Sequence, residues 1–281
     1  MKDGAASPRP VIFTDLDGTL LDAESYAFDE SRETLERVKS AGIPVVFCSS
    51  KTRAEQEYYR AALGVTDPFI VENGSAIFIP RDYFGFDFPF HHTRDQYAVI
   101  ELGVSAKDIR SVLREIREQQ RLPLAGFGDL DLPELCRITG LAPEAARRAL
   151  QREYSETIVP SLSAEEFRRL ENRLAEKGLR GVAGSRLYTI TGQNGDKGRA
   201  VQRLGELFRR EFGDIITVGV GDSQNDFPML NAVERPYLVQ KPGRRWAPAD
   251  LPRVRKIAGV GPAGWKIAMA EILAGYTLPN P

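Results

Sequence analysis

Cysteine and histidine are scarce in this chain, with two of each among 281 residues. The thiols, Cys48 and Cys136, are too few for a disulfide scaffold and fit a reducing compartment. The histidines are adjacent, His91 and His92, which argues against a histidine-built zinc site. No apolar run reaches the roughly 20 residues a membrane helix requires. The N-terminal MKDGAASPRP lacks the apolar stretch of a signal peptide. An excess of one charge is also missing: 38 Lys and Arg stand against 39 Asp and Glu. That balance leaves no basic footprint for nucleic acid. A cytoplasmic protein that binds neither membrane nor nucleic acid is expected, long enough for two domains.

What is present is a rhythm. Val11-Ile12-Phe13-Thr14 reads as a buried strand running into an acidic, glycine-containing loop. A helix over about Ser31 to Ala41, a strand over Ile43 to Cys48, a helix over Ala54 to Leu63 and a strand at Phe69 to Val71 follow. Asn73-Gly74 then turns the chain into Ala76 to Ile79 as a hairpin. The alternation returns late, with a helix over Lys197 to Phe212, a strand over Ile215 to Gly219, a short helix from Phe227, a strand at Tyr237 to Val239 and a last helix over Pro262 to Leu273. Such alternation predicts a doubly wound, mostly parallel α/β sheet that binds ligands at the C-terminal ends of its strands. The middle, from the aromatic stretch FGFDFPFHH onward, mixes strands and helices differently and reads as an inserted α+β domain. The expected division is 1–84 and 189–281 for the core and 85–188 for the insertion. The aromatic stretch suits packing within the inserted cap, or against a second subunit in a homodimer.

Four motifs sit at the ends of the expected strands. Asp15-Leu16-Asp17-Gly18-Thr19 places two carboxylates on a tight loop, one able to attack as a nucleophile and the other able to serve as an acid. Standing alone, Asp-x-Asp also suits a loop cap or a glycosyltransferase metal clamp. Ser49, Ser50 and Lys51 follow the second strand and offer hydroxyls and charge to a phosphate; Thr52 with Glu55 also fits a helix capping box. Cys48 and Arg53 are spaced one residue too closely for a cysteine phosphatase. Asp196-Lys197-Gly198 opens a helix, where Lys197 can meet a nucleophile and a phosphate together. The glycines before it do not have P-loop spacing. Gly221-Asp222-Ser223-Gln224-Asn225-Asp226 adds two more carboxylates. With Asp15 and the Asp17 carbonyl they complete an oxygen-only set suited to magnesium.

In this order the motifs resemble the haloacid dehalogenase superfamily, over residues 10–80 and 190–270. The resemblance implies in-line attack on phosphorus by Asp15, and protonation of the leaving alcohol by Asp17. It also implies phosphoryl contacts from Ser49, Lys197 and the neighbouring Ser50, Lys51 and Asn225, and Mg2+ held by Asp15, Asp17, Asp222 and Asp226. The insertion resembles the type II cap of the Cof-like subgroup, as do Glu72-Asn73-Gly74 and Gly221-Asp222-Ser223. Many members of the subgroup carry Gly-Arg after the hydroxyl; here it is Ser-Lys. That departure, with Gly126 to Asp129, Thr139-Gly140-Leu141, Arg152 to Glu156 and Ser185 to Tyr188, resembles the mannosyl-3-phosphoglycerate phosphatases. This narrower likeness implies a phosphorylated glycoside as substrate, with Asn73, Arg152, Arg186 and Tyr188 as candidate contacts. Phosphatases acting on glucosyl-3-phosphoglycerate or sucrose phosphate, a phosphomutase and a non-enzymatic phospho-acceptor are the alternatives.

Overall fold

The computed structural model describes residues 7–159, 162–183, 187–248 and 250–276. The first half of the core runs β1 (Arg9–Thr14), α1 (Asp29–Ser40), β2 (Val45–Cys48), α2 (Arg53–Leu63) and β3 (Phe69–Val71). It turns back through β4 (Ala76–Pro80), β5 (His92–Arg94) and β6 (Tyr97–Glu101). The middle comprises α3 (Ala106–Gln120), β7 (Ala125–Gly126), α4 (Leu132–Thr139), α5 (Pro143–Ala149), β8 (Ser155–Val159), α6 (Ala164–Glu176), β9 (Leu179–Ala183) and β10 (Tyr188–Gly192). The chain ends with α7 (Lys197–Phe212), β11 (Ile215–Gly221), α8 (Phe227–Ala232), β12 (Arg235–Gln240), β13 (Arg255–Val260) and α9 (Pro262–Ala274).

The large sheet has the order β13-β12-β11-β1-β2-β3-β4-β6-β5. The six strands from β13 to β3 are parallel, and β4, β6 and β5 are antiparallel additions. Strands buried on both faces explain the apolar runs. On β1, Ile12 faces the layer of α1 and α9, while Val11 and Phe13 face α7 and α8. The connection from β1 leads to β2 on one side, and β11 closes the other side in full register, Arg9 opposite Ile215 through Thr14 opposite Val220. The strand order therefore reverses at β1, where open α/β sheets form their ligand crevice.

The smaller sheet, β7-β8-β10-β9, is antiparallel and packs on α3 and α6 through Ile109, Leu113, Ile158, Leu170 and Ile190. Its strands redraw the expected boundaries. The strands β5 and β6, assigned to the insertion in the 85–188 division, extend the large sheet, whereas all of β10 pairs within the small one. An apolar strand such as Tyr97–Glu101 does not announce which sheet it will join. We take the inserted cap as about residues 103–194.

Three further features have local causes. Residues 126–135 contain the start of α4, capped by Asp131 accepting from the Glu134 N–H at 2.8 Å. Helix α5 stops at Ala149, and beyond it the Glu153 and Tyr154 N–H groups are drawn to a carboxylate on the core. The aromatic stretch packs on the core, with Phe84 against Phe208 at 5.3 Å between ring centroids. Phe90, at its end, stays 47% exposed.

Candidate active site

The register of β1 against β11 builds the centre of the site. The Asp15 N–H donates to the Val220 carbonyl at 2.9 Å. Continuing that register sets Asp15 beside Gly221 and Asp222. Gly18, at φ +75°, turns the loop so closely that a Cβ there would lie 3.0 Å from an Asp222 carboxylate oxygen. Oxygens of Asp15, Asp222 and Asp226, all buried, come within 4.8 Å of one another.

Lys197, 1% exposed at the first position of α7, joins this cluster with Nζ 2.8 Å from Asp15 and 2.7 Å from Asp226. Its backbone is fixed by Asp196, whose carboxylate accepts from the Gly198 and Arg199 N–H groups. The turn over 72–74 makes room for it. A Cβ on Gly74 would lie 2.2 Å from the Asp196 carbonyl carbon, and φ there is +90°. Gly74→Ala is expected to destabilise the fold by several kcal/mol, in the range of overpacking plus strain. It should also displace Lys197 and lower kcat by about 100-fold. Equilibrium denaturation and phosphate-release kinetics measure the two effects; wild-type values for both would refute the packing argument.

Asp226 supports the loop more than it opens to a ligand. One oxygen takes Lys197, and the other accepts from the Asp222 and Ser223 N–H groups at 3.0 Å each. Ser223 donates to Asp222 at 2.7 Å, and Lys241 at the end of β12 lies 3.9 Å from Asp222. Ser223 belongs to the motif already quoted, whereas Lys241 was not singled out in the sequence; a lysine at the C-terminal end of a strand beside the motif strand was the available signal.

Asp17 stands apart from the carboxylate cluster. Its side chain, 35% exposed, is held by Lys51 Nζ at 3.0 Å, and Lys51 also faces Glu55 at 3.6 Å. The rings of Tyr26 and Tyr59 lie 4.7 and 5.4 Å from the same ammonium. Lys51, expected on the phosphate, is therefore placed on the second aspartate, and the Asp17 carboxylate falls outside the group that gathers around Asp15. Ser49 is buried at the end of β2, and its Oγ accepts from the Lys51 N–H at 3.3 Å. The Thr52 and Glu55 capping box also forms, so the local and the chemical readings of this segment coexist.

The electrostatics follow from burial. Desolvation and then repulsion from Asp226 push Asp15 well above the usual carboxylate range; burial and then Asp226 raise Asp222 to about 7. Asp17 is raised as well, by burial that its Lys51 partner only partly offsets. Burial disfavours the Lys197 ammonium, but Asp15 and Asp226 outweigh it and keep it charged. Burial pushes the Cys48 thiol far up, so it is no nucleophile.

Of the remaining candidates, Asn73 is buried beside Asn225, with 3.5 Å between their amides. Arg152 reaches the same edge, with Nη1 3.5 Å from the Ser50 carbonyl. Tyr188 does not: it belongs to the cap sheet, packs on Phe167 and donates to Glu171 at 2.8 Å. Arg186 lies outside the described residues.

A haloacid dehalogenase-like hydrolase family model matches residues 12–99 and 148–242. The chain belongs to the haloacid dehalogenase-like hydrolases. It is 42% identical to the glucosyl-3-phosphoglycerate/mannosyl-3-phosphoglycerate phosphatase of Methanococcoides burtonii, over 94% of this chain and 97% of that protein. It is also 42% identical to the mannosyl-3-phosphoglycerate phosphatase of Pyrococcus horikoshii, over 82% of this chain and 90% of that one. Among solved structures, a haloacid dehalogenase-like hydrolase from Bacteroides thetaiotaomicron shares the fold with a TM-score of 0.66 at 17% identity, over 95% of this chain and all of that one.

Proposed function

We propose that this protein is a phosphatase that hydrolyses a glycosyl-3-phosphoglycerate, mannosyl or glucosyl, to the glycosylglycerate and phosphate. The observation that carries the reading is the buried Asp15 carboxylate, 2.8 Å from Lys197, with Asp17 two residues on and separately held by Lys51. Asp15 attacks phosphorus and becomes a phosphoaspartate. Lys197 offsets phosphoryl charge as it spreads over the equatorial oxygens, and Ser49 with the neighbouring N–H groups holds those oxygens. Asp17, whose pKa is raised by burial, donates to the leaving alkoxide and then takes a proton from the hydrolytic water.

The donor set fits a magnesium ion. Three buried carboxylates within 4.8 Å offer hard oxygens, with no thiol or imidazole among them, and their mutual repulsion calls for a cation. Asp15 and Asp222 would hold it, with Asp226 orienting the Asp222 loop. When bound, the ion neutralises charge on the phosphoryl group.

The glycosyl-phosphoglycerate substrate rests on the relatives' named activities, carried over at 42% identity along most of the chain. Both thiols are free, which suits a cytoplasmic protein, and no helix among the described residues is long and apolar enough to cross a membrane. Phosphate release from a panel of mannosyl- and glucosyl-3-phosphoglycerate, sucrose phosphate and simple hexose phosphates, with and without Mg2+, tests the assignment. The glycosyl-phosphoglycerates are expected to lead by at least tenfold in kcat/KM. A higher value for any other ester in the panel would displace them.

A further inference from the structure

The turn over 72–74 takes no part in the chemistry above, yet it touches the segment after β2 and the start of α7. Glu72, Asn73 and Gly74 have consecutive φ values of +49°, +60° and +90°, a left-handed run that residues with a Cβ adopt at a cost. From this turn the Glu72 N–H donates to the Lys51 carbonyl at 3.1 Å, and the Asn73 N–H donates to the Ser49 carbonyl at 3.0 Å. Gly74 packs against the start of α7, as described above. The Glu72 side chain, fully buried, accepts from the cap instead: the Glu153 N–H at 2.8 Å, the Tyr154 N–H at 3.1 Å and the Ser155 hydroxyl.

This contact makes the segment 152–155 a third attachment of cap to core, beside the two chain connections near 103 and 194. Neighbouring contacts reinforce it. Arg53 pairs with Glu153 at 2.8 Å, the Thr52 hydroxyl donates to the Arg148 carbonyl at 2.9 Å, and Tyr154 donates to Glu101 at 2.9 Å while its ring joins the core cluster. Arg152 leads this anchored segment. Its Nη1 donates to Ser155 at 2.8 Å and lies 3.9 Å from Glu72. Its side chain is 8% exposed, and its Nε is buried with no hydrogen-bond partner among the described residues. A buried guanidinium N–H without a partner is costly, and a carboxylate is the group that meets it best.

We propose that Glu72 is a positioning residue for substrate selection: it fixes the cap segment 152–155 to the catalytic edge and so holds Arg152 beside Ser50 to receive a carboxylate on the leaving group. This deepens the phosphatase reading and rests on it. A cap fastened here presents Arg152 in one place, so the ordering is done before substrate arrives.

Glu72→Gln keeps the shape but removes the charge and one acceptor. Two quantities are read: the exchange rates of the Glu153 and Tyr154 amides, and the ratio of kcat/KM for mannosyl-3-phosphoglycerate to that for p-nitrophenyl phosphate, whose leaving group has no carboxylate. Both amides are expected to exchange at least tenfold faster, and the ratio to fall at least tenfold. An unchanged ratio would make Glu72 a fastening only and overturn the proposal. A fallen ratio with unchanged exchange would overturn it too, since Glu72 would then act by another route. If Glu72→Gln does not fold, Ser155→Ala loosens the same segment from the cap side and carries the same comparison. If the wild type prefers another ester in the panel, the substrate reading fails, and the ratio is taken with that ester. The two failures are thereby separable.

Discussion

Asp15→Asn is expected to abolish turnover, by about 10⁴-fold or more, the scale seen when a covalent nucleophile is removed. The substitution keeps the side chain's size and its place beside Lys197, so the loss would report chemistry rather than folding. Asp17→Asn should behave differently. It leaves the acceptor in place and removes the proton donor, which costs about 10²–10⁴-fold. With a good leaving group such as p-nitrophenolate, which needs little protonation, that cost should shrink for the first step. Asp17→Asn should then accumulate phosphoenzyme, because the water that cleaves it has lost its base. Acid-quenched protein analysed by mass would show the phosphoryl adduct in Asp17→Asn and none in Asp15→Asn. Turnover retained by Asp15→Asn would exclude the covalent route.

Removal of the divalent cation should be nearly as damaging to activity, and it also has a signature in stability. The folded-state pKa of Asp222, about 7, lies above the ordinary carboxylate value, and that of Asp15 is raised as well. A carboxyl group with a raised folded pKa favours folding below its unfolded pKa and loses that contribution as pH climbs through the folded value. The chelated protein should therefore become less stable between about pH 4 and pH 7. A cation can replace the missing protons only where the carboxylates are ionised, so its benefit grows over the same window. At pH 8 and about 100 times its dissociation constant, Mg2+ should stabilise by about 2.7 kcal/mol. For a chain of this size that is a rise of about 5 °C in Tm. At pH 5 the rise should be smaller. Thermal scans with chelator and with excess Mg2+ at the two pH values make the test; a larger increment at pH 5 would contradict the shared carboxylate site.

The sequence announced some of this more clearly than the rest. The parallel strands were legible because strands buried on both faces are nearly continuous apolar runs, unbroken in Val45–Cys48 and interrupted only by Thr217 in Ile215–Gly221. Asp15, Lys197, Asp222 and Asp226 were legible because each follows a strand or opens a helix of one sheet. Partners were not legible. Nothing in Ser49-Ser50-Lys51 says that the ammonium will turn to Asp17, a choice made by the loop geometry after β1 and by the rings of Tyr26 and Tyr59. Tyr188 lies near the lysine motif in sequence, yet its strand pairs in the cap and turns the phenol to Glu171. Charged, glycine-containing β13 gave no strand signal, and Glu72 stood out only as part of the Glu72-Asn73-Gly74 likeness, which says nothing of its partners in the cap.

The pairing of β1 with β11 joins residues about 200 positions apart in the sequence, with the whole cap between them. A chain emerging from the ribosome thus displays β1, an apolar strand with one unpaired edge, long before its partner exists. The cap's own strands pair locally and can close first. During synthesis the cap is complete while the catalytic half is still an open sheet with a bare edge, the kind of surface that recruits other strands. The order of events in birth is the reverse of the order in importance: the part that selects the substrate is finished before the part that reacts with it.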